Sequence, residues 1–264
     1  VVNGFVKLAE DLGVKILTSQ NVEKIVVDSD KVKGVISNNH FVKADIVISG
    51  ADYHHTETLL DENYRMYSEK YWEKKTFAPS ALLFYVGFNK KIKNVAHHTL
   101  FFDTSFDVHA QDIYDNPKWP KEPLFYASFS SKTDASFAPK SKEAATFLIP
   151  LAPGLTDDLK VREAYFLKIM ERLENLTGQD LKDQVLFKES YCVNDFVNDY
   201  NSFKGNAYGL ANTLFQTAFL RPKIKSKKVK NLFFTGQLTV PGPGVPPAII
   251  SGKIVSDMVI NNSK

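Results

Sequence analysis

The sequence predicts a mixed α/β (α+β) chain, on three observations. Short β-branched runs separated by turn residues follow a helical pattern in the first 50 residues, Phe- and Tyr-rich runs fill the middle, and a late apolar strand passes through a Pro/Gly loop into a helix. No single period covers the chain.

Taken in order, Val2, Phe5, Val6, Ala9 and Leu12 recur at helical spacing, and Gly13 ends that helix because it takes positive φ without strain. Val14 to Leu17 reads as a short apolar strand. Val22 to Asp28 and Lys31 to Ser37 are β-branched runs joined by Ser29-Asp30, and Asn38-Asn39 turns the chain toward a strand ending Ile46-Val47-Ile48-Ser49-Gly50. The small residues Ser49-Gly50-Ala51 suit close approach of a ligand or another backbone. From Asp52 to Phe77 the sequence is polar and aromatic with helical character. Ala81 to Phe88, Thr99 to Phe102, Leu124 to Phe129 and Ala145 to Ile149 then read as strands of an antiparallel or mixed sheet. Asp157 is the expected cap of a long helix whose Phe166, Ile169, Met170, Leu173 and Leu176 face that sheet, and Gly178 ends it. Val185 to Glu189 is another strand, and an irregular stretch returns the chain to Asn231–Gly236.

The composition excludes several classes. With 264 residues, 44% of them hydrophobic, the chain can bury a core as one large or two modest domains. A net charge of +3, from 33 basic and 30 acidic residues, does not call for nucleic acid. Cys192 is alone, so there is no internal disulfide or cysteine-rich metal site; it reads as a small buried hydrophobe that fits a reducing compartment. No apolar run approaches the roughly 20 residues that cross a bilayer. His54-His55 and His97-His98 lack completing ligands, so no metal is expected. The basic run Arg221 to Lys230 reads as a solvated loop. The segment Tyr64 to Lys75 mixes aromatic and basic side chains and fits either a solvated, partly packed helix or a surface lying at lipid headgroups. The chain opens at Val1, without Met and inside a helical pattern, and is expected to be a piece of a longer protein whose upstream part is missing.

Chemistry concentrates in Leu232 to Asp257. A buried strand ends at Gly236, Pro241-Gly242-Pro243-Gly244 forms a loop, and Pro246-Pro247 starts a helix expected to pack through Ala248, Ile249, Gly252, Val255 and Val259. The N–H groups of a first helical turn attract negative charge, and glycines keep the wall low enough for a flat ring. By itself the stretch also reads as a plain Pro/Gly helix start or a proline-rich ligand.

Together with Lys204–Leu210 (KGNAYGL) and Leu214–Pro222 (LFQTAFLRP), this segment resembles the C-terminal signature of the phytoene desaturase (carotenoid desaturase) family of FAD-dependent flavoproteins. The order is glycine loop, Phe-Gln-Thr, Arg-Pro, strand, Gly, then Pro-Gly-x-Gly-x-Pro and helix. The first 50 residues are similar to the same family, and the middle matches by pattern. The resemblance implies a partial FAD/NAD(P)-binding flavoprotein fold, with residues 1–52 and 226–264 belonging to the FAD domain and 53–225 forming a substrate domain. It implies that Gly236 and Gln237 lie against the FAD ribityl-diphosphate, that Gly244, Val245 and Pro246 lie against the isoalloxazine, that Val22 offers its backbone to adenine, and that Gly50-Ala51 line the cofactor channel. Two departures stand out: many relatives carry an acidic residue at Gln237, and the Gly-x-Gly-x-x-Gly diphosphate turn is absent. That turn is expected upstream, so this chain alone should bind FAD weakly or not at all.

The implied reaction moves a hydride to flavin from an allylic carbon of a phytoene-like polyene while the neighbouring carbon loses a proton, giving a new conjugated double bond. No residue stands out as proton acceptor. A substrate without polar handles implies an apolar, aromatic tunnel, for which Phe84, Tyr85, Phe88, Phe125, Tyr126 and Phe129 are the candidates beside their reading as core. A lipid-dissolved substrate further implies a cytoplasmic protein attached peripherally to a membrane. Polyene saturases, isomerases and amine oxidases share the scaffold, and a non-catalytic lipid-binding module is the reading outside enzymes.

Overall fold

Two pairs of left-handed residues shape the start of the chain in the computed structural model, which describes residues 1–262. After α1 (Val2–Asp11), β1 (Val22–Asp28), β2 (Lys31–Ser37) and β3 (His40–Lys43) form an antiparallel meander. Ser29-Asp30 and Asn38-Asn39 each take positive φ at both positions, the turn whose twist matches a two-residue hairpin. Both turns fall where the sequence puts them. Val14–Leu17 does not form the expected strand, and Leu17 is 74% exposed. Apolar composition supplies no ladder by itself, and among the described residues no strand lies beside it.

β4 (Val47–Ser49) leads into α2 (Tyr53–Thr58), capped by Asp52, and α3 (Glu69–Glu73), capped by Ser68. Next come β5 (Ser80–Phe88), β6 (His98–Phe101), α4 (Phe106–Tyr114), β7 (Phe125–Ser128), β8 (Glu143–Leu151), α5 (Leu159–Thr177), β9 (Val185–Tyr191) and α6 (Val193–Tyr200). An irregular stretch leads to β10 (Leu232–Phe234) and α7 (Val245–Asn262).

The main sheet is antiparallel, in the order β6-β7-β8-β5-β9. Side chains alternate across it, so Leu82, Phe84, Val86 and Phe88 of β5 fall on one face with Phe147 and Ile149 of β8. That face packs against Phe166, Ile169, Met170 and Leu173 of α5, and the core extends to Phe125, Phe129 and Cys192. Burial pushes the Cys192 thiol up to about 12. Leu176 departs from the expected stripe at 49% exposed, because Thr177 takes the next inward position and donates its hydroxyl proton to Leu173 O at 2.6 Å. The cap also differs. Asp158, immediately before the first helical residue, accepts from Val161 N–H at 2.9 Å, while Asp157 turns inward to Arg162 Nε (2.7 Å) and Nη2 (2.6 Å).

A second core gathers Ile25 and Val32 of the meander, Tyr53, Leu60, Trp72 and Phe77, and Leu210, Val229, Leu232 and Phe234. Residues 53–77 thus share a core with the meander and β10, although a boundary at residue 52 would assign them to the other unit. The Tyr53 ring stacks on Phe234 with centroids 3.9 Å apart. Buried Glu57 accepts from the N–H of Met66 (2.7 Å) and from Trp72 Nε1 (3.3 Å). Tyr64, Tyr67 and Tyr71 are half-buried and pack with Trp72, so Tyr64 to Lys75 is a partly packed segment. Among the described residues no helix is long and apolar enough to cross a membrane.

Asp157 offers a direct test of this packing. Burial alone raises its carboxyl, and the Arg162 hydrogen bonds, the Asn194 N–H and the Arg162 charge overcome that and hold it below the usual carboxylate range. Arg162 keeps a second carboxylate, Asp195, 2.7 Å from Nη1, so Asp157→Ala strands no lone charge but leaves the Arg162 Nε and Asn194 N–H donors without their acceptor, and should cost about 1–3 kcal/mol in urea unfolding at pH 7. The folded value is the lower one, so the wild-type advantage should persist above the ordinary aspartate value of 3.8 and vanish as pH falls through the folded value. Equal stability of the two proteins at pH 7 would contradict this account.

Candidate functional site

β4 and β10 are far apart in sequence yet run parallel in register, Val47 beside Leu232, Ile48 beside Phe233 and Ser49 beside Phe234. Thr235 N–H donates to Ser49 O at 2.9 Å, so both strands end at the same level. The crevice beyond the carboxyl ends of parallel strands is where open α/β sheets take ligands. Here a cleft of about 650 Å³ opens, with Gly50, Ala51, Gly236, Gln237, Gly244 and Val245 on one side and Leu83, Tyr85 and Tyr191 of the main sheet on the other. A Cβ built at Gly236, where φ is +100°, meets no protein atom nearer than Gly50 O at 3.9 Å.

Hydroxyl groups hold the strand ends. Ser251 of α7 donates to Ala248 O at 2.7 Å, which uses its only proton. Its oxygen therefore accepts from Gly236 N–H (2.9 Å) and from Thr235 Oγ1 (2.7 Å). On the other strand Thr56 Oγ1 donates to Asp52 O at 2.9 Å and accepts from Ser49 Oγ at 2.6 Å. Asp52 also lines the cleft, and its carboxylate accepts from the N–H groups of His55 (3.2 Å) and Phe203 (3.3 Å). Burial raises its carboxyl above the usual range against the pull of those two bonds.

Arg221, read in the sequence as the start of a solvated run, is instead 2% exposed. It donates to Asn212 Oδ1 (2.6 Å), Leu210 O (3.1 Å) and Gln237 O (3.2 Å), and among the described residues it has no carboxylate partner. Burial lowers its pKa from the ordinary guanidinium value. Gly242 lies across the guanidinium, where a Cβ would come within 3.1 Å of Nη2. One side chain thus joins the 210–212 segment, the end of β10 and the Pro/Gly loop. An arginine directly after the apolar run Ala218–Leu220 was the signal available in the sequence.

The packed stripe of α7 also differs from expectation. Ser251 and Val255 are buried, Ala248, Met258 and Val259 are half-buried, and Ile249 and Gly252 are exposed. A serine faces inward because the strand end needs its hydroxyl. Pro246 and Pro247 carry no N–H, so of the first three residues of α7 only Val245, a cleft-lining residue, has an amide proton.

The remaining candidates divide. Val22 opens β1, opposite Ser37 on the meander, and exposed Pro246 lies just outside the lining. Tyr85 faces the cleft at 43% exposed, whereas Phe84, Phe88, Phe125 and Phe129 are buried in the α5 core. Tyr126 is half-buried, its hydroxyl 2.6 Å from His98 Nδ1.

The profile of the flavin containing amine oxidoreductase family matches residues 2–260. The chain is 40% identical over 263 residues to a carotenoid 3,4-desaturase of Haloarcula japonica, covering 99% of this chain and 53% of that protein. It is 30% identical over 263 residues to a zeta-carotene-forming phytoene desaturase of Myxococcus xanthus, covering 96% and 50%. The chain spans about half the length of the curated relatives it matches. A solved oxidoreductase from Methanosarcina mazei shares the fold with a TM-score of 0.65 at 17% identity, over 97% of this chain and 53% of that one.

The hydroxyl network gives a prediction. Ser251→Ala leaves the Gly236 N–H without its acceptor, so stability to urea should fall by about 1–2 kcal/mol and the Gly236 amide should exchange with solvent faster. Unchanged exchange at Gly236 would remove Ser251 from this role.

Proposed function

The chain belongs to the flavin containing amine oxidoreductase family, and from that premise we propose that it forms part of an FAD-dependent desaturase of carotenoid-type polyenes. The observation that carries the reading is the convergence of Gly50, Ala51, Gly236, Gln237, Gly244 and Val245 on one cleft backed by an apolar sheet face. The site fits a flat, partly anionic ring: the wall is low, the space before Gly236 is open, and α7 points its N-terminus at it. In this reading Gly236 and Gln237 lie along the ribityl-diphosphate, Gly244, Val245 and Pro246 border the ring, Gly50-Ala51 line the channel, and the Val22 backbone meets adenine.

FAD, when bound, supplies the hydride acceptor. The chain's own residues bind, orient and exclude water. Gly244 and Val245 bring backbone close to the ring; Leu83 and Tyr85 hold an apolar chain on the opposite wall; Ser251 and Arg221 keep the strand end and the Pro/Gly loop in place. Asp52 has both carboxylate oxygens engaged by backbone amides and is a cap in this reading, not a proton acceptor. The Gly-x-Gly-x-x-Gly turn, absent from these 264 residues, is assigned to the half of the relatives that the chain does not span. The chain alone then binds FAD weakly or not at all. A polyene substrate, collection from a membrane surface by peripheral attachment on the cytoplasmic side, and no nucleic-acid partner complete the reading.

The test is the visible spectrum after incubation with FAD, of the chain alone and of the chain joined to the N-terminal half of the Haloarcula japonica relative. A flavin band only in the joined form, with a red-shifted product from phytoene, is the expected result. No flavin in either form sinks the proposal. In the joined form Gly236→Ala should lower FAD affinity about tenfold or more, since its Cβ enters the cleft. Gly178→Ala, in the left-handed region at φ +69° with no neighbour within 4 Å, should cost about 1 kcal/mol of stability and no FAD affinity.

A further inference from the structure

The sheet face opposite α5 carries an apolar row that leads away from the cleft. Leu83 of β5 pairs with Leu148 of β8, Leu148 with Tyr126 of β7, and Tyr126 with Leu100 of β6. Directly paired residues point to the same side, so these four side chains form one line across the strands. At strand spacings of about 4.8 Å the line from Leu83 to Leu100 covers about 14 Å. It starts in the cleft, where Leu83 is a wall residue, and ends at a second cavity of about 250 Å³ beneath α4, lined by Leu100, Phe102, Phe106, Ala110 and Tyr126. A second link joins the two spaces: Pro79 lines the far cavity, and its carbonyl accepts the N–H of Ala207, a cleft residue, at 3.3 Å.

The far cavity offers little to a polar ligand. His109 stands in its wall, but Nδ1 accepts from Leu124 N–H at 3.0 Å and Nε2 donates to Pro150 O at 2.8 Å, so both ring nitrogens are occupied. The Tyr126 hydroxyl is engaged by His98. Leu100 remains 63% exposed at the mouth, which leaves an apolar entrance continuous with the row.

We propose that the cavity beneath α4 is a distal subsite that holds the apolar end of a linear polyene whose reacting segment lies in the cleft, with Leu83, Leu148, Tyr126 and Leu100 carrying the chain between. The identity of the occupant rests on the desaturase reading. The subsite then measures chain from its far end, and so sets which bond reaches the cleft.

The test uses diphenylhexatriene, a linear apolar polyene whose fluorescence rises when it leaves water. Titrated into the protein, it should bind saturably, and Ala110→Trp, which fills the cavity, and Leu100→Asp, which charges its mouth, should each weaken binding about tenfold or more. Leu186→Asp, at a half-exposed position of β9 outside the row, should leave binding unchanged and shows whether the probe is merely coating apolar surface. Leu100 is exposed, so its variant keeps the fold, which circular dichroism checks. Unchanged binding in both cavity variants, or equal loss in Leu186→Asp, overturns the proposal. The readout needs no flavin: a missing flavin band defeats the desaturase reading while leaving this result standing, and intact flavin with unchanged probe binding does the reverse.

Discussion

Three residue pairs between β4 and β10 determine where everything else in the site can be. A parallel pair of this length is weak, with slanted hydrogen bonds and little area of its own. Its support comes from behind. The Tyr53 ring lies flat on Phe234, Leu232 is fully buried in the same core, and Ser49 and Thr235 are each tied by a hydroxyl to the helix that follows their strand. With the pairing held from that side, the strand ends can finish in glycine and alanine. Backbone is then brought to the cleft without side chains in the way, which contact with a flat ring requires.

Arg221 extends the same logic to the loops. A buried guanidinium without a carboxylate is costly, and its Nε lacks a hydrogen-bond partner among the described residues. An apolar residue of similar volume would avoid that cost but could not accept the geometry imposed by two carbonyls and an amide oxygen at once. The planar fork relates three backbone segments that share no secondary structure. Register among loops, where no ladder exists, is what the buried charge supplies.

The sequence was legible where local chemistry decides. Both meander turns could be read because Ser29-Asp30 and Asn38-Asn39 tolerate left-handed backbone, and α5 could be read from its stripe and from Gly178. Choices between neighbours were not legible. Asp157 and Asp158 are equivalent as caps until the helix start is known, and which one meets Arg162 depends on tertiary contacts. Apolar spacing in α7 does not mark Ser251, whose hydroxyl is the reason it faces inward. The partner of β4 lies about 185 residues further along the chain (Val47 beside Leu232), and periodicity carries no information about pairing at that range. The resemblance brought the glycines of the two strand ends together, and no local signal did.

The aromatic run of β5 shows the same limit and leads to the organisation of the site. Phe84 and Phe88 have the hydrophobicity of a tunnel wall, but strand parity places them with Leu82 and Val86 against α5, while Leu83 and Tyr85 take the cleft face. Composition cannot distinguish the two faces, and a one-residue slip would exchange them. The sheet therefore works as a divider. One face is locked by a long helix and close-packed rings, which fixes the backbone; the other keeps half-buried and exposed side chains at regular spacing. A ligand lying on that second face meets a surface whose geometry was set from the opposite side, so side chains there can vary in size without disturbing the core that holds them in position.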